Sequence, residues 1–84
     1  MLDEKPITPA QCRGARAMLG LSRADLAELA SVAQATLADF EAGKRHPYAR
    51  TLADVRRVLE ARGATFVDEE NRAGVLVPKD GRSA

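Results

Sequence analysis

Eighty-four residues with a formal net charge of +1 make one small domain, and 45% hydrophobic with 30% charged residues is the balance of a soluble globular chain. Aromatic residues are 4% and tryptophan is absent, which argues against the stacking platforms of single-stranded nucleic-acid binders. Cys12 is the only cysteine, so no intrachain disulfide and no cysteine-based zinc site can form. With neither a signal peptide nor an apolar run near about 18 residues, a cytoplasmic chain is expected, without membrane or cofactor. A chain this short buries a modest core, and a homodimer is the ordinary remedy.

Residues 1–8, MLDEKPIT, read as an arm. TPAQ then opens a helix, with Thr8 as N-cap, Pro9 in the first turn and Gln11 completing a capping box. Cys12, Ala15 and Leu19 recur at helical spacing, and Gly20 stops the run. Gly14, inside this helix, implies close packing or a tolerated weakness. SRAD (22–25) is a second helix start capped by Ser22, with Leu26, Leu29 and Ala30 as its buried face. A third helix over roughly 34–42 turns Leu37 and Phe40 inward and ends at Gly43 as the C′ residue. TLAD (51–54) is a third capping signature, followed by the stripe Leu52, Val55, Val58 and Leu59 up to Gly63.

Beyond Gly63 the period changes. ATFV and VLV, separated by DEENRAG, read as a β-hairpin closed by Pro78, with residues 79–84 as a tail. A lone hairpin is marginal in water, and its most economical partner is the same hairpin of a second chain.

The spacing of Leu21, Ser22, Leu26, Ala27, Val32, Leu37, Phe40, Glu41, Gly43 and Lys44 is that of two short helices crossing closely over a tight turn. Ala27 is small where they touch, Val32 plugs the turn, and residues 34, 35, 38 and 39 point outward. Over about residues 10–62 the chain resembles the Cro- and lambda-repressor-like helix-turn-helix regulators, the XRE family. LSRADLAELASV, TLADFEAGKRHP and TLADVRRVLEARG fall in that family's order and spacing. The expected fold is therefore mostly α: a four-helix domain over 9–63, then a hairpin over 64–78 that stands in place of the family's fifth helix and pairs across a dimer.

The resemblance implies sequence-specific binding of double-stranded DNA by a dimer, and repression of transcription. It puts Gln34, Ala35, Thr36, Ala38 and Asp39 at positions that approach bases or phosphates, and Arg23 where backbone or an outer base is touched. Lys44 and Arg45 fall in the loop that meets phosphates. It also implies an ion pair between Arg16 and Glu41, holding the third helix against the first.

Charge is unevenly spread. Residues 22–43 carry Arg23 against Asp25, Glu28, Asp39 and Glu41, whereas 44–62 carry Lys44, Arg45, Arg50, Arg56, Arg57 and Arg62 against Asp54 and Glu60. The negative segment supports an alternative class, a helix-turn-helix module that docks on a protein, such as an antiactivator or antitoxin-type partner. Asp39 repels phosphate, yet a carboxylate can accept from cytosine N4, so it is either a specificity element or a solvated acid. Ser31 stands where the family favours Gly and Ala33 where it favours a capping Ser or Thr. Ser31 could instead cap the third helix with Gln34 as its capping-box partner, and both starts remain open. No nucleophile–base set, phosphate loop or metal cluster points to an enzyme, and His46 stands alone in a loop.

Overall fold

A computed structural model describes residues 5–79, so residues 1–4 of the expected arm and 80–84 of the expected tail lie outside it. The order is α1 (Pro9–Leu19), α2 (Arg23–Ala30), α3 (Gln34–Glu41), α4 (Ala49–Ala61), β1 (Thr65–Asp68) and β2 (Ala73–Leu76). Among the described residues no helix is long and apolar enough to cross a membrane.

Each helix ends where local chemistry directs. Thr8 accepts from the Gln11 N–H at 3.0 Å and its own N–H donates to Gln11 Oε1 at 2.9 Å, a complete capping box. Ser22 accepts from the Asp25 N–H at 2.9 Å. Gly43 (φ 77°) closes α3 with two terminal bonds, Gly43 N–H to Phe40 O at 2.9 Å and Lys44 N–H to Asp39 O at 2.8 Å. The same device closes α2, but on Ser31, whose φ is 57°. Ser31 is thus the C-cap of α2, and α3 starts after Ala33, which gives it no side-chain cap.

Three expectations need correction. TLAD does not cap α4: the helix begins earlier, at Ala49 after Tyr48, because Ala49 and Arg50 are good helix formers that carry it back toward Pro47. Leu29 is not buried but 47% exposed, since a two-turn helix covers only the stripe of Leu26, Ala27 and Ala30. Asp68, Ala73 and Gly74 belong to strands, and Glu69 and Arg72 bond to each other across a loop of two residues. Ile7, at the end of the expected arm, is 3% exposed and joins the core of Cys12, Ala15, Leu26, Leu37, Phe40, Leu52, Val55 and Leu59.

The hairpin docks on its own chain. Gln11 keeps its oxygen for the capping box and sends its amide N–H groups to Val67 O at 3.1 Å and Gly74 O at 2.9 Å. One buried side chain thereby ties the start of α1 to both strands. Gly14, one turn on, admits Val75: a Cβ there would meet Val75 Cγ1 at 3.5 Å, an ordinary contact. Arg56 of α4 lies over the Phe66 ring at 5.3 Å.

Two substitutions follow for the backbone. Ser31→Gly removes the left-handed penalty and should stabilise by about 1 kcal/mol. Gly14→Ala should stabilise by up to about 1 kcal/mol, because the added methyl fits and helix propensity improves. Urea unfolding followed by circular dichroism measures both, and a loss of stability in either contradicts the geometry.

Candidate nucleic-acid interface

The paired helices α2 and α3 cross on small and apolar side chains. Ala27 (3% exposed) lets them approach, Val32 half-fills the turn, and Leu37 and Phe40 anchor α3 from beneath. This places the opposite face of α3 outward. Gln34 and Ala35 are exposed, while Thr36, Ala38 and Asp39 are half-exposed. The candidate reading residues therefore share one face of one helix.

The seat of α3 is set by Glu41, its last residue, which is 2% exposed. Arg16 grips the carboxylate with two bonds, Nε to Oε2 at 2.7 Å and Nη2 to Oε1 at 2.8 Å. Arg23 Nε reaches Oε1 at 3.2 Å, and the Cys12 thiol donates to Oε2 at 3.1 Å. Arg13 donates to the Glu41 carbonyl oxygen. Burial by itself would raise the Glu41 pKa, but the hydrogen bonds from Arg16, Cys12 and Arg23 outweigh it and hold the carboxyl below its ordinary value. Cys12 is pushed up by burial and by the Glu41 carboxylate, so it stays a thiol and serves as a donor.

The expected partnership of Arg16 with Glu41 is present. That of Arg23 with Glu41 was missed by sequence reading, although a signal existed: a cation at a helix N-terminus opposes the dipole and needs a nearby acid. Only Nε of Arg23 is engaged, and the side chain stays 44% exposed at the start of α2.

The remaining cations sort themselves by pairing. Arg57 bonds Asp54 at 2.8 Å, Arg56 bonds Glu60 at 2.9 Å, and Lys5 and Arg72 pair with Asp68 and Glu69. Among the described residues, Lys44, Arg45, Arg50, Arg62 and Lys79 make no hydrogen bond or ion pair through their side chains. Three of these five lie between the end of α3 and the first turn of α4. Thr36 and Arg45 line a shared depression of about 370 Å³ with His46, Pro47, Tyr48 and Thr51. Tyr48 is 86% exposed there, and no spacing rule had singled it out. Among the described residues no group of three His, Cys, Asp or Glu could hold a metal ion.

The lowered pKa of Glu41 sets a pH dependence. A carboxyl with a depressed folded-state pKa contributes stability that is complete above its unfolded value and is lost as pH falls through the folded one. Stability should thus decline below about pH 4.5, the ordinary value. Glu41→Gln should cost about 3 kcal/mol at neutral pH and flatten that acid slope, as read by thermal unfolding across pH. A variant that keeps the wild-type acid slope would show that other carboxyls carry it.

With the geometry in place, comparison with known proteins identifies it. No curated protein matches the chain significantly. Residues 13–63 match the family model HTH_3, described as helix-turn-helix. Those residues take in most of α1 and all of α2, α3 and α4, and they span more than half of the sequence. The chain therefore belongs to the Cro/C1-type helix-turn-helix family, the XRE family of DNA-binding regulators.

Proposed function

We propose that the protein is a sequence-specific transcriptional repressor, acting in the cytoplasm as a dimer joined through its hairpin, with α3 of each subunit in a major groove. The observation that carries this reading is the cluster of unpaired cations, Lys44, Arg45 and Arg50, beside a helix whose polar face is open. Phosphate contacts supply register and affinity, and base contacts supply sequence preference. Lys44 and Arg45 take the first role together with Arg23, whose side chain is 44% exposed. Gln34 is the best reader, since an amide pairs bidentately with adenine N6 and N7. Thr36 and Ala35 suit a thymine methyl or a phosphate, and Asp39 suits cytosine N4. Two half-sites about one helical turn apart, 34–36 Å, suit a two-fold dimer.

The rival reading, a helix-turn-helix module that docks on another protein, draws on the acids of α2 and α3. Asp25, Glu28 and Asp39 have no ion-pair partner among the described residues.

Selection of bound fragments from randomised duplexes, repeated at two salt concentrations, separates the two. Binding through phosphates weakens steeply with salt. Lys44→Ala should lower affinity evenly across sequences and reduce the salt slope by about 1 per subunit. Gln34→Ala should relax preference at one base position by about 1–3 kcal/mol. Absence of specific duplex binding at low salt would leave the protein-docking reading in its place.

A further inference from the structure

The two outer edges of the hairpin differ in kind. β1 carries charge in the strand itself: Asp68, whose backbone groups point away from β2, pairs with Lys5 at 3.2 Å. Charges of this sort keep a sheet edge from being extended. β2 and its continuation read Ala73-Gly74-Val75-Leu76-Val77, with neither charge nor proline, and Leu76 is 62% exposed. Among the described residues nothing charged guards this edge, and an apolar edge of that kind is a template for another strand.

The ladder says which backbone groups are open. Glu69 N–H bonds Arg72 O at 2.7 Å and Arg72 N–H bonds Glu69 O at 3.4 Å, and Asp68 faces Ala73. Because an antiparallel ladder alternates, Ala73 and Val75, and Val77 beyond them, direct N–H and C=O away from β1.

We propose that β2 pairs antiparallel with β2 of a second copy about a two-fold axis at Val75, joining two hairpins into one four-stranded sheet. This rests on the dimeric reading above and adds the edge, the register and the contacts. The axis must fall on a residue rather than between two, because directly opposed residues share a face, and Val75 is the middle one of the three whose backbone groups point outward. Val75 then faces the partner's Val75, and Ala73 faces the partner's Val77. Pro78 falls opposite the partner's Arg72, a position that sends no N–H across the seam, so its missing donor does no harm.

Packing and charge favour this register. Leu76 lands opposite the partner's Gly74. A Cβ built at Gly74 meets nothing within 4 Å, so the glycine leaves a notch, with Val67 beside it across the ladder. The exposed leucine fills that notch, once on each side of the axis. Lys79, an unpaired cation, falls opposite the partner's Asn71 and next to the acids Glu69 and Glu70 of the hairpin tip. A parallel pairing would instead set the two acidic tips against each other.

Sedimentation equilibrium of the whole chain, with oxidative cross-linking of variants that each add one cysteine to the buried Cys12, tests the arrangement. Directly opposed Cα atoms in such a pair lie about 5.5 Å apart, within disulfide range. Val75→Cys should therefore give a covalent dimer, and Thr65→Cys on the β1 edge should not. Leu76→Glu and Gly74→Leu should each lower the dimer fraction at least tenfold while leaving the circular dichroism spectrum of the fold. Cross-linking through Thr65→Cys but not Val75→Cys in a dimeric protein would overturn the edge. A dimer that survives both Leu76→Glu and Gly74→Leu would overturn the register. A wild-type chain that is monomeric at all concentrations would overturn the inference together with the dimeric reading, while duplex selection judges DNA binding separately.

Discussion

A single buried carboxylate holds the helical domain in register. Glu41 ends α3, and its two oxygens and its carbonyl draw Cys12, Arg13 and Arg16 of α1 and Arg23 of α2. An ion placed at 2% exposure is costly to desolvate, and only a nearly complete set of hydrogen bonds makes that position tolerable. The consequence is positional. Partners on two other helices meet at the end of α3, so its outward face is fixed relative to both. A side chain that must meet a base edge needs such a rigid seat.

The second fixed point is Gln11, and it joins local structure to tertiary structure through one amide. Its oxygen belongs to the helix cap and its nitrogen to the hairpin. With Arg56 over Phe66 and Val75 against Gly14, the hairpin becomes part of the domain instead of a free ribbon. Three sides of the small sheet thereby acquire character: one face is packed, the β1 edge carries Asp68, and the β2 edge is apolar and, among the described residues, open.

A net charge of +1 looks unpromising for a partner of phosphates. Pairing changes that impression. Glu41, Asp54, Glu60, Asp68 and Glu69 are spent on Arg16, Arg23, Arg57, Arg56, Lys5 and Arg72, and three of the five cations left over among the described residues, Lys44, Arg45 and Arg50, cluster beside α3. Local field, not total charge, is what an approaching polyanion meets. Glu41, the most conspicuous acid of the helix, is buried and compensated, whereas Asp39 stays on the open face.

Much of the fold was legible in the sequence because its signals are local. Caps act over three or four residues, and so the ends of α1, the start of α2 and the close of α3 could be read from Thr8, Gln11, Gly20, Ser22 and Gly43. The same local reading misplaced the start of α4 at Thr51, where a capping pattern lies inside the helix and makes no cap. The outward face of α3 followed from helical period, so Gln34, Ala35 and Asp39 were found, while Tyr48 carried no period to betray it. Only the tertiary structure decided between the two roles of Ser31, since a terminal turn needs its left-handed backbone to let Val32 bond back to Ala27 at 2.9 Å. Only it could assign Arg23 to Glu41, 18 residues away, and Gln11 to strands 56 and 63 residues away. The sequence by itself determined where α1 and α2 begin, which helix faces are apolar and which regulator family the spacing matches. Which charges are consumed, and which edge of the hairpin stays open, was decided by contacts between distant segments, because pairing depends on proximity that no local pattern encodes.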